Sequence, residues 1–194
     1  MLYLNQEDSD RWPPEMVISV QSATLRMLQL LYVREVYQLS TQTRLPGLDP
    51  APSEHAAAPQ GWRSDRWETE WSAALAELVR GERSRAAGTP SRQGIFDALH
   101  PRASDRDIDS QLGISFQKWQ QRTHRHPSGP FRTSPDYLAL DDLIAAWSNG
   151  FTTCVMLPLA GEYATRLGRH ILLVSPTTRH SPDSYRDALR VLFA

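Results

Sequence analysis

Apolar residues are dense between residues 16 and 39, and this stretch contains neither glycine nor proline. Just before it, Pro13-Pro14-Glu15 suits the first turn of a helix, where the missing amide proton of proline costs nothing and an acid meets the positive end of the helix dipole. Apolar residues fall on several faces of the stretch, so the pattern predicts a helix over 14–39 that is covered on most sides. A strand over 16–20 ahead of a shorter helix is the alternative, because β-branched residues are frequent there.

Three further helices are predicted in the middle of the chain from amphipathic spacing. The first covers 65–80, where tryptophan, alanine and leucine share one face and a glycine ends the run. The second covers 110–124, although a glycine near its start weakens it by up to ~1 kcal/mol relative to alanine. The third starts at Ser134-Pro135-Asp136, which supplies a cap, a first-turn proline and a favourable acid. It ends at an Asn-Gly pair, which is typical of a helix C-terminus.

The C-terminal third changes from helical spacing to short buried runs. Residues 151–157 and 171–174 are rich in valine, leucine, isoleucine and threonine and predict two strands, while 163–167 alternates and predicts a third between them. An antiparallel meander is favoured, because a helix between the two buried strands would leave too little chain for a parallel crossover. A last helix is predicted from residue 181.

Together these elements predict an α+β fold that is mostly helical. We expect about five to six helices packed with a small C-terminal antiparallel sheet at roughly 151–175, followed by a final helix. The length of 194 residues fits a single domain over 1–194. Long irregular loops are expected within it near 40–64, 81–94, 100–109 and 124–134, where proline, glycine and small polar residues gather.

Composition excludes several classes of function. The chain has 21 basic and 22 acidic residues, so its formal charge of -1 argues against a protein that coats nucleic acid or lies on an anionic membrane. No segment is long and apolar enough to span a membrane, and the acidic N-terminus does not resemble a secretory signal, so a cytosolic location is expected. Lys118 is the sole lysine, which the codon bias of a GC-rich bacterial genome explains most simply.

Two patterns suggest metal binding, and both are weak. His124 and His126 stand two residues apart in a predicted loop, where two imidazoles can reach one ion, and they are the candidate metal ligands of a small metal-dependent hydrolase. Arginines flank the pair and would repel a cation. The acidic run at 105–109 begins like a calcium loop, but it lacks the turn glycine and the bidentate glutamate of that loop.

Catalytic and cofactor-binding motifs are missing from the sequence. Cys154 is the only cysteine, which excludes an internal disulfide, and its apolar neighbours favour a buried thiol over a nucleophile. Neither a G-x-S-x-G elbow nor a glycine-rich phosphate loop occurs. We therefore nominate no catalytic residue and expect no cofactor.

One short sequence occurs twice, as Arg132-x-Ser-Pro-Asp and Arg179-x-Ser-Pro-Asp. Each copy predicts a helix start, where free amide protons and a nearby guanidinium could hold a carboxylate or a phosphate. Arg132 and Arg179 are therefore candidate residues for binding an anion or a nucleotide. The aspartate of each copy already lies at the same positive end, which argues for ordinary capping instead.

Arginine and tryptophan are adjacent at three places along the chain. These two residue types are enriched in binding hot spots, and they also stack on each other. The alternative is that the indoles hold the long loop onto the core. The candidate residues for binding a partner are Arg11, Trp12, Trp62, Arg63, Arg66 and Trp67.

These observations favour a non-catalytic cytosolic protein that binds another protein in a regulatory, adaptor or assembly role. The partner would be a different protein or a second copy of the chain. A metal-dependent hydrolase and an anion- or nucleotide-binding protein are the alternatives, whereas nucleic acid and membrane are not expected as partners.

Overall fold

The structure is a computed structural model that describes residues 12–58, 64–86, 106–123 and 134–193. The chain divides into two compact units, which are described separately: a sheet unit of residues 1–23 and 126–194, and a helical unit of residues 24–125. The single-domain organisation stays a prediction.

Eleven helices and strands occur in the described residues, and the fold is α+β and mostly helical, as predicted. In chain order they are β1 (Ser19–Ser22), α1 (Leu25–Val36), α2 (Ser64–Ala86), α3 (Arg106–Thr123), α4 (Pro135–Leu138), α5 (Leu140–Ser148), β2 (Thr153–Met156), β3 (Ala164–Leu167), β4 (Ile171–Val174), α6 (Pro176–His180) and α7 (Pro182–Phe193).

The sheet is mixed, with the strand order β1-β2-β4-β3. β1 is parallel to β2 and β2 to β4, and the β3–β4 pair alone is antiparallel. The predicted antiparallel meander is therefore wrong in its strand order. β2 and β4 can be parallel because the connection between them includes β3. This strand runs antiparallel to β4 and pairs with the side of β4 that faces away from β2.

The first predicted helix is instead a strand and a shorter helix, which was the alternative. The amide of Ser19 donates to the carbonyl of Thr152 at 2.9 Å, so this segment joins the sheet. Thr24 then caps α1 by accepting a hydrogen bond from the amide of Met27 at 3.3 Å. The strand is stabilised by partners far along the chain, and the local spacing of apolar residues contains no information about such partners.

The helices differ from the prediction at four further places. α2 continues past Gly81 to Ala86, because one glycine costs little and good helix formers follow it. α3 starts at Arg106, inside a predicted loop. The helix predicted from 134 is divided at Ala139 into α4 and α5, and α6 precedes the predicted last helix.

In the sheet unit, α5 and α7 pack together beside the strands around a buried cluster. The largest fully buried side chains of this cluster are Phe151, Tyr185 and Phe193, and the rings of Phe151 and Phe193 lie 4.9 Å apart. Burial of such side chains stabilises a fold by roughly 1.5–3 kcal/mol each. The cluster fixes the positions of β2, β4 and α7.

In the helical unit, α2 and α3 pack against α1, which is buried on most sides, as predicted. The loop that follows α1 is held to these helices by polar contacts. Glu68 of α2 accepts hydrogen bonds from the amide and the hydroxyl of Thr43, at 2.9 and 2.6 Å. The indole of Trp119 on α3 donates to the carbonyl of Pro50 at 2.6 Å. The loop is therefore ordered by the helical unit itself.

Candidate functional site

One candidate surface in the sheet unit is the outer edge of β1. We define the β1 edge as Val17–Ser22, together with Trp12 in the turn before it. The amide of Ser19 and the amide of Ala23 donate to carbonyls of the β2 side. Backbone groups alternate in direction along a strand, so the N–H and C=O of Val20 point away from β2. No other strand of the described residues pairs with that side of β1.

The side chains of the β1 edge are uncharged, and two of them are apolar and exposed. Val17 is 74% exposed and Val20 is 43% exposed. Val17–Ser22 contains no charged residue, proline or glycine. Natural proteins protect open edges with such residues, because an unprotected edge pairs readily with another chain. The β1 edge therefore lacks charged residues and proline, which protect open edges in other proteins.

Trp12 is half-buried at the start of the β1 edge. Its ring packs against the buried cluster of the sheet unit, and its indole N–H donates to the carbonyl of Met16 at 3.0 Å. The amide of Met16 in turn donates to the carbonyl of Pro13 at 2.9 Å, which closes a turn. Trp12 thus holds the turn that leads into the exposed Val17, and the residue remains partly exposed.

The other described arginine and tryptophan candidates, Arg66 and Trp67, lie on α2 of the helical unit. Trp67 is 0% exposed; its indole donates to the carbonyl of Leu30 at 2.7 Å, and its ring stacks on Trp71 at 5.4 Å. Its role is to hold α2 against α1, so it presents no indole to a partner. Arg66 is exposed on α2 of the helical unit, whereas Trp12 belongs to the sheet unit. Arg11, Trp62 and Arg63 lie outside the described residues.

A second candidate is a buried polar cluster in the sheet unit, the Arg179 cluster, which consists of Asp136, Cys154, Arg179 and Tyr185. Arg179 Nη2 donates to Asp136 Oδ2 at 2.6 Å, and the guanidinium carbon lies 4.4 Å from the centre of the Tyr185 ring. Arg179 and Asp136 come from the two copies of the Arg-x-Ser-Pro-Asp sequence. One ion pair therefore links the two copies of the repeat.

The Arg179 cluster contains buried polar atoms without hydrogen-bond partners of normal geometry. Arg179 is 4% exposed and Tyr185 is 0% exposed. The atoms without such a partner are Arg179 Nε, Arg179 Nη1, Asp136 Oδ1 and Tyr185 Oη, although the Tyr185 hydroxyl still interacts with the Asp136 carboxylate and Arg179 with the Cys154 thiol. A buried polar group without a partner costs about 1–3 kcal/mol, so four such atoms in one place require an explanation.

Burial in this cluster keeps Cys154 and Tyr185 protonated. Burial raises the pKa of Cys154 to about 12, although the nearby Arg179 guanidinium acts in the opposite direction. Burial also raises the pKa of Tyr185 well above its ordinary value. Cys154 is therefore a thiol at neutral pH, which is the unreactive form of a cysteine. The cluster has one cation, Arg179, and one anion, Asp136.

His124 and His126 of the predicted metal site lie outside the described residues, and so does Arg132. Within the residues that are described, no group of three histidine, cysteine or acidic side chains could hold a metal ion. The helices described here are also all too short or too polar to cross a membrane.

Comparison with known protein families, characterised proteins and solved structures finds no match to this chain.

Sequence reasoning identified Arg179 but missed its partners. The repeat drew attention to both helix starts, but nothing in it indicates that the arginine of one copy pairs with the aspartate of the other. The β1 edge was also missed, although the strand alternative over 16–20 was its signal. An uncharged β-branched run next to Trp12 would have indicated an open edge.

Proposed function

We propose that this chain is a non-catalytic protein of the cytosol that binds an extended segment of a different protein along the β1 edge. The observation that carries the proposal is an uncharged edge strand with exposed Val17 and Val20. Proteins use such edges for strand addition, in which main-chain hydrogen bonds provide affinity and side-chain contacts provide specificity.

The contacts that β1 offers define the partner segment. The backbone groups of Val20 on the outer side of the strand would pair with those of the bound segment. Val17 and Val20 would contact apolar or β-branched side chains opposite them, since such cross-strand pairs contribute roughly 0.2–1 kcal/mol each. Because Val17–Ser22 is uncharged, the segment needs no charge complementarity here.

Trp12 extends this surface beyond the strand itself. Its half-buried ring, held by the hydrogen bond to Met16, provides a rigid aromatic contact at little cost in conformational entropy. This keeps the predicted role of the Trp12 segment, with Arg11 next to it along the chain. The cytosolic part of the proposal is supported by Cys154, a free buried cysteine that suits a reducing compartment.

Site-specific photocrosslinking tests the proposal. A photoreactive phenylalanine analogue in place of Val17 should crosslink in cells to a defined polypeptide, and peptide mapping should place the crosslink in one short segment of it. Val20→Lys should abolish the crosslink, because a lysine on the strand disfavours pairing at the edge. Val191→Lys is the matched control: Val191 is 79% exposed on α7, and its replacement should leave the crosslink unchanged.

Two results would contradict the proposal. One is a crosslink that Val20→Lys and Val191→Lys affect equally. The other is a crosslink only between two copies of this chain, together with a concentration-dependent dimer in light scattering, which would identify a self-association surface instead.

A further inference from the structure

The unpartnered nitrogens of Arg179 indicate a site that protein binding does not use. We propose that Arg179 is the binding group of a small-oxoanion site, and that Asp136 is an internal carboxylate which a carboxylate or phosphate ligand displaces. None of the four residues of the Arg179 cluster belongs to the β1 edge.

Arg179 has the properties of a prepared oxoanion receptor. Its guanidinium is stacked over the Tyr185 ring, 4.4 Å from the ring centre, which holds its plane in one orientation. One nitrogen already binds a carboxylate oxygen of Asp136 at 2.6 Å, while Nη1 and Nε have no hydrogen-bond partner of normal geometry and only the Cys154 thiol, a weak acceptor, beside the guanidinium. An oxoanion with two or more oxygens could use both Nη2 and Nη1, which form the end of the guanidinium fork.

Asp136 is the part of the cluster that can leave. Its side chain is 23% exposed, whereas that of Arg179 is 5% exposed, so Asp136 is the more accessible partner of the ion pair. The residue lies in the first turn of α4, and rotation about its side-chain bonds would place the carboxylate in water. The bond from Arg179 Nη2 to Oδ2 is its hydrogen bond of normal geometry, while its interaction with the Tyr185 hydroxyl does not reach that geometry.

The exchange of Asp136 for an external oxoanion conserves charge. The buried guanidinium faces one anion before and after the exchange, so no unpaired charge is left in the core. A tethered carboxylate competes at an effective concentration in the millimolar range or above, so the intact protein should bind free oxoanions only at millimolar concentrations. Removal of the tethered carboxylate should then strengthen binding.

Thermal unfolding and calorimetric titration of the full chain test this inference with sodium acetate and sodium phosphate as probes, against sodium chloride at equal ionic strength. For the wild type we expect a saturable rise in Tm with one or both oxoanions, beyond the effect of chloride. The arm that saturates at lower concentration identifies carboxylate or phosphate as the preferred class.

Variants assign the effect to this cluster. Asp136→Asn removes the competing charge with little change in shape, and the midpoint concentration should fall on the order of tenfold or more. Arg179→Gln should abolish the saturable effect. Arg190→Gln is the matched control, because Arg190 also pairs with an aspartate, Asp142 at 2.8 Å, but on the surface. It should leave the effect unchanged.

The inference is overturned if oxoanions act no differently from chloride on the wild type, or if the effect persists in Arg179→Gln. Should Arg179→Gln fail to fold, Asp136→Asn still decides the matter, because its arginine is intact. Binding by Asp136→Asn that is no tighter than binding by the wild type would also overturn the inference.

Discussion

Cys154 provides a chemical measure of how tightly the sheet unit is closed. It is 0% exposed and is the only cysteine of the chain, so a thiol reagent reports on a single site. With a pKa of about 12 instead of the ordinary 9.0, its thiolate fraction at pH 8 is about 10⁻⁴ in the folded chain and about 10⁻¹ in the unfolded chain. Ionisation alone therefore slows the folded thiol about a thousandfold.

Burial adds to this protection, because a reagent reaches the sulfur only when the unit opens. For a stability of at least about 5 kcal/mol, fewer than about one molecule in 1000 is open at any time. We therefore expect Ellman's reagent at pH 8 to modify the native protein at least ~1000-fold more slowly than the protein in strong urea.

A variant with an exposed thiol is the control for reagent access. In Cys154→Ser combined with Val191→Cys, the thiol replaces a side chain that is 79% exposed and should react within tenfold of the unfolded rate. A rate for native Cys154 within tenfold of its rate in urea would contradict its assignment as a closed, protonated thiol. It would then be either open to solvent or ionised.

The same pKa shift predicts a pH dependence with a definite sign. The pKa of Cys154 is higher in the folded state, so its contribution to stability is complete below the unfolded value of 9.0 and is lost as the pH rises from there toward 12. Other groups also titrate in this range, so the pH dependence of the wild type is compared with that of a variant without the thiol. Between pH 8 and pH 10, the free energy of unfolding from urea titrations should fall more for the wild type than for Cys154→Ala.

Two further predictions concern the helical unit. Trp67→Phe removes the hydrogen bond to Leu30 and part of a buried ring. It should lower the free energy of unfolding in urea titrations by about 1–3 kcal/mol. Arg66→Ala on the same helix is the control and should change this free energy by less than ~0.5 kcal/mol. Despite burial, the hydrogen bonds from Thr43 lower the pKa of Glu68, so its contribution is present above the unfolded pKa and is lost as the pH falls. The stability difference between the wild type and Glu68→Gln should therefore shrink from pH 7 toward pH 3; a constant difference would contradict this role.

Much of the secondary structure could be predicted because its signals are local. The capped start at Ser134 is present, and its hydroxyl accepts from the amide of Tyr137 at 3.2 Å. The buried strands around Cys154 and Leu172 were evident from dense β-branched and aliphatic residues. Such features depend on a few neighbouring residues, so the sequence contains what is needed to infer them.

The candidate sites depended on residues far apart in the chain. Trp67 was a candidate for binding a partner, but its buried indole donates a hydrogen bond to the carbonyl of Leu30 on α1. Arg179 was a candidate for binding an anion, and it meets Asp136, a residue from the other copy of the repeat. Short-range patterns do not specify such pairings, because many side chains of the right type compete for each partner.

By itself, the sequence determined the fold class, the main helices and the buried character of Cys154, since apolar spacing and capping residues act over a few positions. The tertiary structure alone decided that residues 19–22 form an edge strand. The backbone partners that make this segment a strand, Thr152 among them, are contributed by β2 and the residue before it. A segment with helical spacing becomes a strand when the sheet satisfies its backbone groups, and both the edge and the function proposed for it depend on that long-range pairing.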